Sequence, residues 1–187
     1  MGNLALMICS EDPLSKYIPG FIPEAERIEA FLWANLCCLA EKIDSPEEKQ
    51  QILNSSNGAL QSIRYFSVGK AYALTGLVMD SEGFNTPFIV FRETPEDAPD
   101  NATKLLLIDF NAIDFTTSKG SLVGQAIDDY VYQFYALRDI GLVKWAIQSA
   151  RLSTKGLTIS GHGVGAAIAN LLAIELLVDY GNEFPVS

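Results

Sequence analysis

Positive charge is scarce in this chain. Thirteen lysines and arginines stand against 23 aspartates and glutamates in 187 residues, giving a formal net charge of −10. Such a surface repels phosphate backbones and anionic leaflets, and no Lys/Arg cluster offsets it, so nucleic acid is not an expected partner. Cysteine is equally sparse. Cys9, Cys37 and Cys38 do not make a disulfide framework, which favours an intracellular setting, the cytoplasm or another reducing compartment. The N-terminus lacks the basic region of a signal peptide, and Leu6 stands where a myristoylation motif needs Ser or Thr. No uncharged apolar run reaches the roughly 18 to 20 residues of a membrane span. Residues 164–178 come closest, but Glu175 interrupts them, so a buried helix is expected there and no transmembrane segment.

Metal-binding side chains are also thin on the ground. Asp109, Asp114, Asp128 and Asp129 have no His or Cys at ligand spacing. Asp128 and Asp129 read as a solvated helix face, and Asp109 as a structural partner for Arg92. Neither a metal nor a cofactor is expected. What the chain does have is a globular composition, 49% hydrophobic and 19% charged, on a length that suits a single domain.

Apolar residues Ile28, Phe31, Leu32, Leu36, Leu39 and Ile43 recur at helical steps over 23–43, and Ser45, Pro46 and Glu48 open a second helix. A β-rich section follows. "AYALTGLVMD" and "PFIVFRET" are strand-like runs joined by the turn "SEGFNT", which predicts a hairpin, and "KLLLIDF" reads as a third strand. From 122 to 150 the spacing predicts a long helix with a kink at Gly141. Its aromatic stripe of Tyr130, Phe134 and Trp145 faces the core, with Tyr132 and Tyr135 off the stripe and exposed. The strand "LTIS" and a helix over 164–180, closed by Gly181 as a C-terminal cap, complete an α/β pattern.

Between that last strand and helix lies "SGHGVGAA", a glycine-flanked turn opening directly into a helix of small residues. Strand-to-helix turns of this kind hold one residue in a strained conformation above the sheet, and in hydrolases that residue is the nucleophile. Outer glycines are required because side chains there collide with the neighbouring strand and helix. Gly161 and Gly165 meet that requirement. The helix start also presents amides to a developing oxyanion. The central position, however, is Gly163.

The stretch "TISGHGVGAAIANLLAIEL" resembles the nucleophile elbow of the class 3 (fungal-type) lipases, usually T-G-H-S-L-G-G-A-L-A. "FIVFRET" resembles that family's F-R-G-T/S strand end, and "LLLIDFNAIDF" the segment after it. The resemblance spans roughly residues 70 to 180. It implies one class 3 lipase-like domain over 1–187, with an α/β-hydrolase-like mixed sheet flanked by helices, truncated at its C-terminal side. It implies Thr94 and the backbone N–H of Val164 as oxyanion donors, Gly161, His162, Gly163 and Gly165 as the elbow, and Gly163 in the serine position. His162 matches an elbow histidine that packs structurally and is not the catalytic base. Glu93 replaces a glycine beside Thr94.

The family's acid and catalytic histidine follow the elbow helix, whereas this sequence stops at Ser187 and holds one histidine, His162. A Ser-His-Asp relay cannot be assembled from it. Ser160, three residues before the tip, points into the layer between sheet and helix and is a poor substitute. The function expected is therefore that of a catalytically degenerate, lipase-like structural or assembly subunit, with lipid or acyl-ester binding as a retained property. The alternative is a fragment or Ser→Gly variant of an active triacylglycerol lipase or carboxylesterase. A missing neighbour for the elbow strand leaves an open sheet edge, which implies a protein partner or self-association.

Overall fold

A computed structural model describes residues 36, 37, 40, 47, 50, 60–79, 83–92 and 111–187. Among the described residues, six strands and three helices with defined bounds run in the order β1 (Leu60–Val68), β2 (Ala71–Met79), β3 (Asn85–Phe91), β4 (Ala112–Thr116), β5 (Leu122–Ile127), α1 (Asp128–Asp139), α2 (Leu142–Leu152), β6 (Thr158–Gly161) and α3 (Val164–Tyr180). Leu36, Cys37, Ala40, Glu47 and Gln50 are helical too, as the sequence predicts at those positions. The strand expected in "KLLLIDF" lies outside the described residues up to Phe110.

The main sheet has the order β1-β2-β3-β6. The first two pairings are antiparallel and β3–β6 is parallel, so the sheet is mixed and the architecture α/β. Gly69 takes φ +56° at the first position of the two-residue turn joining β1 to β2, the place where a type II′ hairpin demands glycine. β1 carries a bulge between Gln61 and Arg64, with Ser62 at φ +54°. Bulges of this kind bend an outer strand and disrupt its pairing edge.

Alternation along β2 and β3 sends apolar side chains to both faces. Ala71, Ala73, Ile89 and Phe91 pack with the three helices. Tyr72, Leu74, Phe88 and Val90 pack on the opposite face with Leu36 and Ala40. A strand covered on both sides loses the polar alternation of a half-exposed one, which is why "FIVF" reads as a continuous apolar run. The helices present Val131, Phe134 and Leu137 from α1, Val143 and Ala146 from α2, and Ile168, Leu172 and Leu176 from α3 to a single core.

The region before α1 departs from the sequence reading. Residues 122–127 are a strand paired with β4, not the first turns of a helix. The helix begins at Asp128, whose carboxylate and that of Asp129 occupy its first turn, where they complement the positive end of the helix dipole. Asp128 Oδ1 accepts from the Asp129 amide, and Asp129 Oδ2 from the Gln133 side chain. Gly141, with φ +98°, ends α1 and starts α2, so the expected kink is a full break. Phe115 of β4 meets Phe134 edge-on at 5.6 Å. Tyr135, expected to be exposed, is half-buried. Its hydroxyl accepts from the Thr116 amide at 2.9 Å and docks the hairpin onto α1.

The end of α3 also differs in detail. Gly181 has φ −60°, a right-handed conformation and not a left-handed cap. Glycine is needed there for room, because a Cβ would sit 2.5 Å from the Leu177 carbonyl oxygen. Beyond it, residues 185–187 run parallel to the start of β6. Leu157 N donates to Pro185 O at 3.1 Å, Ile159 N to Ser187 O at 2.7 Å, and Ser187 N to Leu157 O at 3.0 Å. The edge of β6 expected to be bare is therefore occupied along residues 157–159 by the chain itself. Among the described residues, no helix is long and apolar enough to cross a membrane.

Candidate functional site: the bend between β6 and α3

β6 runs beside β3, pairing Val90 with Ser160 and Phe91 with Gly161, and both strands end together. The chain then reverses. His162 N donates to Phe91 O at 3.2 Å, Gly165 N to His162 O at 2.9 Å, and Ala166 N to Gly163 O at 3.1 Å. Between these anchors Gly163 adopts φ +57°, ψ −128° at the N-cap of α3. An L-residue adopts that combination only under strain, whereas glycine enters it freely.

The flanking glycines are required for a different reason. A Cβ on Gly161 would fall 2.5 Å from the Gly165 carbonyl oxygen, and one on Gly165 would fall 2.5 Å from the Phe91 carbonyl oxygen. Strand end and helix start thus touch backbone to backbone. The tip between them faces solvent, and both His162 and Gly163 are exposed. The packed position expected for the His162 ring is not what is found. The bend projects this residue outward because its backbone N–H is tied to β3 while the chain turns away from the sheet.

Val164 is the first residue of α3 and packs partly against the core. The first amides of a helix have no intrahelical acceptor, and the first turn of α3 holds no acidic side chain to offset the dipole. The Gly165 and Ala166 amides are already bonded within the bend, which leaves Val164 among the first helical amides as a donor, beside no nucleophile. Thr94 and Glu93 lie outside the described residues, as does Asp109. Arg92, the last described residue after β3, directs NH1 to the Ala40 carbonyl oxygen at 3.3 Å and stacks its guanidinium 3.9 Å from the Tyr72 ring centre. Ser160 Oγ lies 3.3 Å from Cys37 Sγ, on the sheet face opposite α3 and away from the tip. It is engaged in packing between the sheet and an N-terminal helical segment.

A second polar concentration, unsignalled in the sequence, lies near the other end of α3. Glu175 is fully buried, accepts a hydrogen bond from Ser118 Oγ and lies 3.6 Å from Arg138 NH1. Burial pushes its carboxyl above the usual range, against the opposing pull of Ser118 and Arg138. One turn on, Asp179 accepts from Thr117 Oγ1 at 2.9 Å and from the Lys119 amide at 3.1 Å. These carboxylates clamp the β4–β5 turn to the helix. In the sequence, Glu175 appears only as an interruption of an apolar run, and nothing local names its partners, which are 57 and 37 positions away.

Among the described residues, no three His, Cys, Asp or Glu side chains gather as a metal site. No protein-family model matches the chain, and no curated protein is similar enough to it to count as a match.

Proposed function

We propose that this chain is a catalytically silent protein of class 3 lipase-like, α/β-hydrolase type, serving as a structural or assembly subunit that engages a protein partner. The observation that carries the reading is Gly163. Its φ of +57° and ψ of −128°, at an exposed strand-to-helix tip between two sterically required glycines, suit a nucleophile turn that bears no side chain. Glycine relieves strain of about 1–3 kcal/mol there, which is tolerable only when no reactive hydroxyl is needed. With the chain's one histidine exposed on the same bend, what remains is backbone donors. In serine hydrolases such donors with substrate positioning give roughly 10³–10⁴-fold over water, far short of enzymatic turnover. Leu177 and Val178 on α3, each about half exposed, supply apolar surface for a partner or a lipid.

The test is labelling with a fluorophosphonate probe alongside hydrolysis of p-nitrophenyl butyrate, for the unmodified chain and for Gly163→Ser. Neither is expected to label or to exceed buffer hydrolysis. Covalent capture by the unmodified polypeptide would overturn the reading. Capture by Gly163→Ser alone would favour the second reading, an ester hydrolase whose serine has been replaced, which the retained backbone conformation at Gly163 supports. Organic extracts analysed by mass spectrometry test the lipid-binding property separately.

A further inference from the structure

Roughly 25 Å from the bend, by the rise of α3, a cleft of about 410 Å³ opens between α1, α2, the β4–β5 turn and the end of α3. Its volume falls in the range of small-molecule sites, about 300–1,000 Å³. Its lining is rich in cations for so acidic a chain. Arg138, Lys144 and Arg151 line it, three of the chain's 13 cationic side chains, and among the described residues no acidic side chain does. Gln148 adds a neutral hydrogen-bond donor, whereas the Ser118 hydroxyl is taken by Glu175.

The arrangement follows from helix geometry. Lys144, Gln148 and Arg151 stand at i, i+4 and i+7 on α2, one polar stripe along a single face. Beside them Val143 and Ile147 add apolar lining, and Tyr180 contributes from the end of α3. Two of the three cations, Arg138 and Arg151, already have a carboxylate partner. Glu175 lies 3.6 Å from Arg138 NH1, which also donates to Thr116 O at 3.1 Å. Glu183 accepts from Arg151 Nε at 2.8 Å and from its NH2. Asp179 is taken up by Thr117 and the Lys119 amide. The Lys144 side chain makes no hydrogen bond or ion pair among the described residues.

We propose that this cleft binds a phosphate monoester, its phosphate held by Arg138, Lys144 and Arg151 and its organic body resting on Val143, Ile147 and Tyr180. A phosphate monoester carries close to two charges and three acceptor oxygens, enough to engage the Lys144 ammonium together with the guanidinium N–H groups that Glu175 and Glu183 leave free. The site is independent of the chemistry at Gly163, so it stands or falls apart from the reading of the bend.

Saturation-transfer NMR on the full chain, with phenyl phosphate as probe and phenol as its uncharged control, reads the binding. Loss of one charge-assisted contact weakens binding about ten-fold. Phenyl phosphate is expected to bind at least that much tighter than phenol, and Lys144→Glu is expected to remove the difference. Lys144 is exposed, so this variant is expected to keep its fold, which circular dichroism checks. Arg138→Gln serves as a second variant with the same expected loss. Equal affinity for phenyl phosphate and phenol overturns the proposal, as does unchanged phenyl phosphate affinity in folded Lys144→Glu. Sedimentation with phosphatidylcholine vesicles containing phosphatidate separates the sources. Co-sedimentation lost in Lys144→Glu identifies a lipid headgroup, and phenyl phosphate binding without co-sedimentation identifies a soluble monoester.

Discussion

A Cβ at Gly165 would lie 2.5 Å from the carbonyl oxygen of Phe91. The start of α3 therefore presses directly on the end of β3, and any side chain at this point must force strand and helix apart. Gly165→Ala is expected to destabilise the protein by about 1–3 kcal/mol, the usual cost of overpacking a tight contact. Urea unfolding followed by tryptophan fluorescence checks this. A variant as stable as the parent would mean that α3 does not rest on β3 as described.

Gly163 differs from Gly165 in the origin of its constraint. With φ +57° and ψ −128°, it is restricted by backbone conformation. Gly163→Ala is expected to cost about 1–3 kcal/mol without disturbing the spectra of the folded state, since the tip is exposed. Stability equal to the parent's would argue for a relaxed bend.

Glu175 gives the fold a pH dependence of definite sign. Burial raises its carboxyl above the ordinary 4.5, so the folded state holds this proton more tightly than the unfolded chain. Its contribution is fully present below the unfolded value and declines as pH rises through the folded one. Glu175→Gln keeps an acceptor for Ser118 without the titration. The stability difference between variant and parent should thus shift in the variant's favour as pH climbs above about 4.5. Parallel stability curves from about pH 4 upward, measured by chemical denaturation, would remove Glu175 as the cause.

Tyr135→Phe removes the hydroxyl that receives the Thr116 amide at 2.9 Å. The expected cost is about 1 kcal/mol, concentrated in the β4–β5 hairpin. Hydrogen exchange read residue by residue should show faster exchange at Thr116 and little change in β2 or β3. Uniform acceleration across the main sheet would contradict a local docking role.

Legibility in the sequence tracked how local each signal was. The β2–β3 hairpin and the β6–α3 bend were readable because apolar runs and glycines mark them within a few positions. β1 gives no clear strand signal: "LQSIRYFSV" is bulged and half-exposed, so its alternation is broken where Ser62 takes a positive φ. The β5 sequence reads as helix because Leu122 and Ile127 suit the start of the α1 pattern, whereas pairing with β4 decides the matter through backbone bonds. At the bend, the need for glycine at 161 and 165 was readable from the motif, but the outward position of His162 was not. The clamp of Glu175 and Asp179 on the β4–β5 turn depends on partners about 40 to 60 positions away, beyond what any short-range pattern specifies.

The parallel pairing of β3 with β6 has a kinetic side. Phe88 and Thr158 meet although 70 positions separate them, while a two-residue turn brings β1 to β2. Closing the longer loop costs more chain entropy before any contact rewards it. The meander of the first three strands is thus favoured to order ahead of the rest, and protection of the His162 amide, bonded to Phe91, should appear late in refolding.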